Sequence, residues 1–434
     1  MKKINHLFKN IIMQSKKFIL ILLISLVANN TFAQNQEINL NWCIQKAKTN
    51  LPLIKKFELI EQAKSYSIEN ASKGLLPQIN LIGQGTYQSE VTKVPISVPN
   101  FDIPTISKDQ YRAYTEVYQS LNNKKLIDDK IQLLESQAEL EKSNLEVSIY
   151  QVEEKVNEVY FGILLIQEQL NLNNLYQSQL KNTSKKLESA LANGVGNGKN
   201  ILEISAEILR LKQKSIDLNG MKLGFIGMLS KLTGEKIDLN SQFIHPSDEF
   251  ELANENLRPE LKSFDASLNL LTKKEANIDN QLRPQFGIFV QGGIGRPALN
   301  MLSNDFRGYY IGGLRLNWNI GNYYTYKNNK KLLEIEKQGI GIQKDQFLQN
   351  LSVQDQKENA DIIKLREMVN LDEPIIQLKT QVKEIAEKEL ELGSIGANDF
   401  LDYLSQEELA KENKAIHEIQ LLNAIYKNKI TKGQ

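Results

Sequence analysis

The 434-residue sequence predicts an α+β membrane protein. Its transmembrane β-barrel is shared between protomers, four strands from each, and is continued by a long α-helical coiled-coil tunnel. Three observations predict this. Landmarks of the first half return in the second half in the same order. Two helical runs are each about 70 residues long, far longer than a compact domain houses. Four runs of about ten residues read as strands, one alternating cleanly between apolar and polar side chains, two alternating weakly and one rich in Tyr, and four strands are too few to close a barrel within one chain.

The amino-terminal stretch reads as a secretion signal. Lys16 and Lys17 precede an apolar run from Phe18 to Ala28, followed by Thr31-Phe32-Ala33. That is a basic segment, a short apolar segment and a small-residue cleavage site. The apolar run is shorter than the roughly 20 residues that span a bilayer. Met13 gives a better-formed basic segment than Met1 does and is an alternative start. Residues 1–33 are therefore set aside from the fold. They carry five Lys and no acidic residue, so the remainder has 48 basic against 52 acidic residues. A net acidic chain without a basic stripe is no nucleic-acid binder. The single Cys43 forms no intramolecular disulfide and reads as a small buried apolar residue.

Residues 34–236 and 257–434 are two copies of one pattern, joined by the linker 237–256. Leu51-Pro52-Leu53 opens a helical stretch that Leu76-Pro77 closes. Arg258-Pro259-Glu260-Leu261 opens another that Leu282-Arg283-Pro284 closes. Both Pro pairs are 207 residues apart. Leu121 and Ile320, which end strand-like runs, and Gly194 and Gly393, which end long helical runs, are 199 apart. The only length change lies between Pro77 and Leu121, where a loop absorbs it. Each copy runs helix, strand, loop, strand, long helix, turn, helix.

The strands are expected at Gln78 to Glu90, Gln110 to Leu121, Gln285 to Ile294 and Tyr309 to Ile320. The last alternates cleanly, with Tyr310, Leu314, Leu316 and Trp318 on one face and Arg315, Asn317 and Asn319 on the other. Such runs suit a transmembrane β-strand, with that apolar set as its lipid face, and equally a soluble hairpin with one buried face. The intervening loops are Val91 to Ser107, with Pro95, Pro99 and Pro104, and Arg296 to Arg307.

In the first long helix, Leu145, Ile149, Val152, Val156, Val159, Ile163, Ile166 and Leu170 alternate steps of four and three, a heptad seam. The second, Tyr323 to Leu392, carries Pro374, where a bend is expected. No other segment reaches 18 consecutive apolar residues, so closed strands or a surface helix are the remaining ways to meet a membrane. An open sheet edge cannot face lipid. Transmembrane strands here therefore require several chains in one barrel, and the helices that continue them require a shared cylinder.

No catalytic constellation is visible, and no cofactor or metal site is expected. His6, His245 and His417 are isolated. Gly292-Gly293-Ile294-Gly295 follows a strand but leads into a Pro-containing loop, the wrong context for a dinucleotide turn.

Several marks together resemble the TolC outer-membrane efflux family. They are Ile38-Asn39-Leu40-Asn41-Trp42 leading into Ala47 and Asn50-Leu51-Pro52; Ala71 to Leu75-Leu76-Pro77; Arg258-Pro259-Glu260-Leu261; Arg283-Pro284; Leu316-Asn317-Trp318-Asn319-Ile320-Gly321; and Gly393 followed by Asp399-Phe400-Leu401-Asp402. The resemblance implies a homotrimer in the outer membrane, with a 12-stranded barrel in lipid and a periplasmic tunnel closed at its inner end. It also implies docking to a periplasmic adaptor and an inner-membrane pump, in tripartite efflux or type I secretion.

The two helix-to-helix turns hold the candidate sites. Gly194, Val195 and Gly196 in the first, and Gly393, Ser394, Ile395 and Gly396 in the second, are adaptor-docking tips by the resemblance. Their Gly residues also suit ordinary helix termination. Asp399 and Asp402, one turn apart, share a helix face. The resemblance places them at the pore constriction, where symmetry would stack them into acidic rings that favour cations. Capping chemistry is the plainer reading of Asp399. In the first copy Asn200 stands at the equivalent place, and the second turn lacks the basic residue that some family members carry. The competing reading of the whole chain is a periplasmic or surface coiled-coil scaffold without a pore, which has no need of strand pairs at equal positions in both copies.

Overall fold

The computed structural model describes residues 37–93, 95, 105–194, 197–247 and 256–434. The expected signal segment, Pro99 and Pro104 of the first loop, Val195 and Gly196 of the first turn, and residues 248–255 of the linker lie outside the described residues.

The element series runs twice. The first half has β1 (Glu37–Ile38), α1 (Leu40–Asn50), α2 (Lys55–Ser72), β2 (Gln78–Tyr87), β3 (Asp109–Ser120), α3 (Lys124–Ala192) and α4 (Gly198–Thr233). Then come β4 (Gln242–Phe243), α5 (Pro259–Asn280), β5 (Gln285–Arg296), β6 (Arg307–Asn317), α6 (Asn322–Glu391) and α7 (Ala397–Lys432). The long helices have 69 and 70 residues, and the helices after each turn have 36 each. Pro259 stands in the first turn of α5, where its missing N–H has no helical partner to lose. Pro374 lies inside α6, which runs through it without a break.

The strand-to-helix joints are tied by asparagines. The Asn123 side chain donates to the Gly74 carbonyl at 2.7 Å, and Asn322 donates to the Gln281 carbonyl at 2.8 Å. The two contacts are one contact repeated: the donors are 199 residues apart and the acceptors 207. Asn122 both donates to the Pro284 carbonyl and accepts from the Phe286 N–H, at 2.8 and 3.0 Å. These bonds satisfy backbone groups where the ladder ends and the helix has not begun.

The chain forms two compact units, and both halves contribute to each. One takes its described residues from Met1–Asn50, Val152–Leu252 and Asn359–Lys427; the other takes them from Leu51–Gln151, Ala253–Glu358 and Asn428–Gln434. In the first unit, Cys43, Val156, Tyr160, Ile163, Leu164 and Leu229 are fully buried around β1 and β4. These two strands pair in parallel, Glu37 with Gln242 and Ile38 with Phe243. The Tyr160 hydroxyl lies 2.9 Å from the Ile38 carbonyl and 2.6 Å from the Ile244 carbonyl, bridging the two. The linker between the two copies thus supplies one of these strands. Burial raises the Cys43 thiol to a pKa of about 12, in keeping with an inert packing residue. A second cluster draws Tyr176 and Leu180 from α3, Ile204 and Leu211 from α4, Leu390 from α6 and Phe400 from α7. Along the expected seam of α3, six of the eight residues are buried.

Candidate functional site

The second unit holds the four-stranded sheet, in the order β2-β3-β5-β6, with every neighbouring pair antiparallel. The register aligns Ile79, Val117, Val290 and Gly312 in one row across the sheet, and Leu81, Thr115, Gly292 and Tyr310 in the next row of the same face. That face is apolar, and it is bare. Leu81 is 84% exposed, Tyr310 82% and Leu314 81%. Ile79, Phe286, Leu316 and Trp318 are exposed as well. Of the expected set, Tyr310, Leu314 and Leu316 share this face of β6. Trp318 lies just beyond β6, its indole N–H donating to the Leu282 carbonyl at 3.0 Å.

The opposite face is polar. Asn80, Glu116 and Gln291 form one row, and Gln84 and Arg112 lie in another. The Glu116 carboxylate, 7% exposed, accepts from Arg315 at 2.9 and 2.6 Å and from Gln291 at 2.6 Å. The Arg315 guanidinium also lies over Phe289, 4.5 Å from the ring centre. Gly287 makes this possible: a Cβ there would collide with the Tyr118 ring that closes the cluster. Glu116 and Arg315 are 199 residues apart, so equivalent positions of the two halves form the ion pair.

Among the described residues, β2 and β6 are each paired on one side only. Their outer N–H and C=O groups are open to another strand. Among the described residues no helix is long and apolar enough to cross a membrane, and no cluster of His, Cys, Asp and Glu could hold a metal ion.

The two turns between long and short helices adjoin each other. Gly194 and Gly393 have φ of +79° and +74°, the left-handed conformation that ends a helix and suits glycine. The Asn197 side chain caps α4 by accepting from the Lys199 N–H at 3.0 Å. Asp399, in the first turn of α7, reaches back to accept from the Gly396 N–H just before the helix at 3.1 Å, the return half of a capping box. The capping reading of Asp399 is thus met by geometry. Asp402 accepts from Gln406 at 2.9 Å, and both aspartates are exposed. Cross-links join the turns: Asn200 accepts from the Ala397 N–H at 3.2 Å, and Asn398 donates to Glu203 at 3.0 Å. Lys186 reaches Glu387 and Glu391 at 2.9 and 2.8 Å. Between them opens a cleft of about 480 Å³, lined by Leu187, Asn197, Asn200, Gly393, Ile395 and Asp399. Ser394 is exposed, whereas Ile395 packs against the second cluster.

Sequence reading missed Glu407. It is 1% exposed, and it accepts from Thr380 at 2.8 Å and Lys411 at 2.7 Å, with Lys383 at 3.6 Å. Burial pushes its carboxyl pKa up, but these partners outweigh burial and hold it below the ordinary value. Its neighbour Glu408 goes the other way, raised by burial that Lys214 and Arg210 only partly offset. A signal was present: Phe400, Leu404 and Glu407 follow the four-three spacing of a core seam.

Searches of protein-family models and of curated proteins found no match. Solved structures do match. The outer-membrane channel OprN is 12% identical with a TM-score of 0.66, over 91% of this chain and 89% of that one. The Campylobacter jejuni CmeC outer membrane channel is 14% identical with a TM-score of 0.62, over 93% and 87%. The Neisseria gonorrhoeae MtrE outer membrane channel, in its open state, is 14% identical with a TM-score of 0.64, over 91% and 88%. These neighbours are channels rather than enzymes. The chain therefore has, along nearly its whole length, the fold of these outer-membrane channels, a four-stranded sheet joined to long paired helices.

Proposed function

We propose that this chain is one protomer of an outer-membrane channel that passively conducts cargo out of the periplasm, fed by a periplasmic adaptor and an inner-membrane pump. One observation carries the reading. Among the described residues, the four-stranded sheet carries an exposed, largely apolar face on one side and a hydrogen-bonded polar face on the other, and its two edge strands are each paired on one side only. Water does not suit that outer face, and lipid does. Lipid in turn forbids the open edges, so other copies must cover them. Three copies give the 12 strands of the barrel that the TolC resemblance implies. The outer face, with Tyr310, Leu314, Leu316 and Trp318, meets lipid, and the Glu116–Arg315 face lines the water-filled lumen. The two element series are one duplicated unit. The helices extend into the periplasm, and the tip residues Gly194, Gly393, Ser394 and Ile395 meet the adaptor.

The test is fractionation, detergent extraction, native mass and conductance in planar bilayers. The channel reading expects an outer-membrane oligomer with discrete conductance steps; a soluble periplasmic monomer or dimer overturns it in favour of a scaffold. At the inner mouth, Asp399 and Asp402 form the acidic constriction in this reading. Asp399→Ala with Asp402→Ala then weakens block of the open pore by multivalent cations. Unchanged block removes both residues from the constriction.

A further inference from the structure

The charges on the polar face of the sheet do not balance. Within the four strands they are Arg112, Glu116, Arg307 and Arg315, three arginines against a single carboxylate. Arg315 and Glu116 neutralise each other. Arg112 and Arg307 stand together elsewhere. The register sets Arg112 opposite Gly295 and Gly295 opposite Arg307, with Gln84 completing the row. That row carries no carboxylate. Asp109 and Arg296, the other charged residues at this end of the strands, lie on the opposite face and pair with each other.

A glycine brings the Arg112 side chain over β5. A Cβ on Gly295 would lie 3.2 Å from Cγ of Arg112, so the stem of Arg112 leans across β5 in the direction of β6. Arg315 uses the same device. Gly287, opposite it, has no side chain, and the Arg315 guanidinium crosses β5 to reach Glu116. Where Arg315 meets a carboxylate, Arg112 meets a second arginine. Among the described residues Arg112 forms no hydrogen bond or ion pair. Arg307 has only Asp305, at 3.6 Å, with both side chains more than half exposed, a contact that water screens. The two backbones are two strand spacings apart, about 10 Å, which two long guanidinium side chains span around one anion. Like charges this near repel, and an anion between them relieves the repulsion.

We propose that Arg112 and Arg307 form an anion site on the wall of the lumen, taking phosphate or carboxylate groups of the cargo. The row lies three residues inside the loop end of β3, the end away from the helices. In the channel reading, on which this proposal rests, that is the mouth at the cell surface. Repeated in every copy, the pair makes a cationic band there.

The probe is inorganic tripolyphosphate, added to both sides of single pores of the full chain in planar bilayers at low salt. The native pore is expected to be blocked in a concentration-dependent way. Arg112→Gln and Arg307→Gln are each expected to raise the half-blocking concentration about tenfold. The two together are expected to abolish block. Arg112→Lys is expected to keep part of it, because the charge stays and the fork is lost. Added salt is expected to weaken block of the native pore. A native pore that conducts and is not blocked, or that is blocked no better than the double variant, overturns the site and leaves the channel reading intact. A chain that forms no pore overturns the channel reading, and the site with it. Should Arg112→Gln fail to assemble, Arg112→Lys and Arg307→Gln carry the test, and unchanged block in both overturns the site.

Discussion

The sheet and the cluster around Tyr160 use the same kinds of residue in opposite ways. Around Tyr160, Val156, Ile163 and Leu164 are 0% exposed. On the sheet, Leu81 and Leu314 are more than 80% exposed, while Glu116 is 7% exposed. Hydrophobic burial in water explains the first region and fails for the second. An apolar face that stays outside, beside a carboxylate held by Arg315 and Gln291, is an ordinary interior and exterior exchanged. The exchange is stable where the surrounding solvent is hydrocarbon and the enclosed space is wet.

Truncation tests that contrast most sharply. Leu164→Ala removes packing within the chain and leaves a hole, so transfer and cavity terms add to about 2–5 kcal/mol in denaturant unfolding. In the channel reading, Leu81→Ala loses only the transfer term, about 2 kcal/mol, because lipid chains flow into the space. Equal losses at the two sites would break the comparison. Charge insertion comes next. In the channel reading, Leu314→Arg on the lipid face is expected to destabilise the assembled protein by up to about 2–4 kcal/mol, the cost of such a charge at the bilayer midplane. Gln84→Arg, on the polar face of β2, leaves folding unchanged, and alters only ion selectivity in bilayer recordings.

The smallest effect belongs to two adjacent carboxyls of α7. Glu407 is held below its ordinary pKa of 4.5, so its contribution is complete above that pH and lost as pH falls through the lower folded value. Glu408 is held above 4.5, so its charged form opposes folding at neutral pH, and that opposition fades as pH falls. Thermal melts at pH 7 are expected to show Glu407→Gln lowering and Glu408→Gln raising the midpoint by a few degrees each, the Glu408 difference shrinking as pH falls towards 4.5 and the Glu407 difference shrinking only below 4.5. The same sign for both would break the distinction.

The parts legible in the sequence are those with a period. Tyr309 to Ile320 alternates every second residue, and β6 with its exposed face lies there. The steps of four and three from Leu145 to Leu170 mark the buried stripe of α3. β1 and β4 have two residues each, too short for any period, and Tyr160 joins them from more than 80 residues away in sequence. Glu407 stood at core spacing but was hidden by its charge. The Glu116–Arg315 pair was visible only as opposite charges one repeat apart. At the tips, turn chemistry was readable from Gly194 and Gly393. The bonds from Asn200 and Asn398 that join the turns depend on the two halves meeting, which no local pattern records.

The middle of the sheet sets an order of events during biogenesis. β2 and β3 form a hairpin whose nearest partners, Tyr87 and Asp109, are 22 residues apart. β3 then waits for β5, where Ser120 meets Gly287 across 167 residues of chain. Non-local pairing of this kind is slow. Until the carboxy-terminal half arrives, the inner edge of β3 is a bare template, chemically matched to β5 of any sister chain. A nascent protomer in a crowded compartment thus risks exchanging hairpins with its siblings.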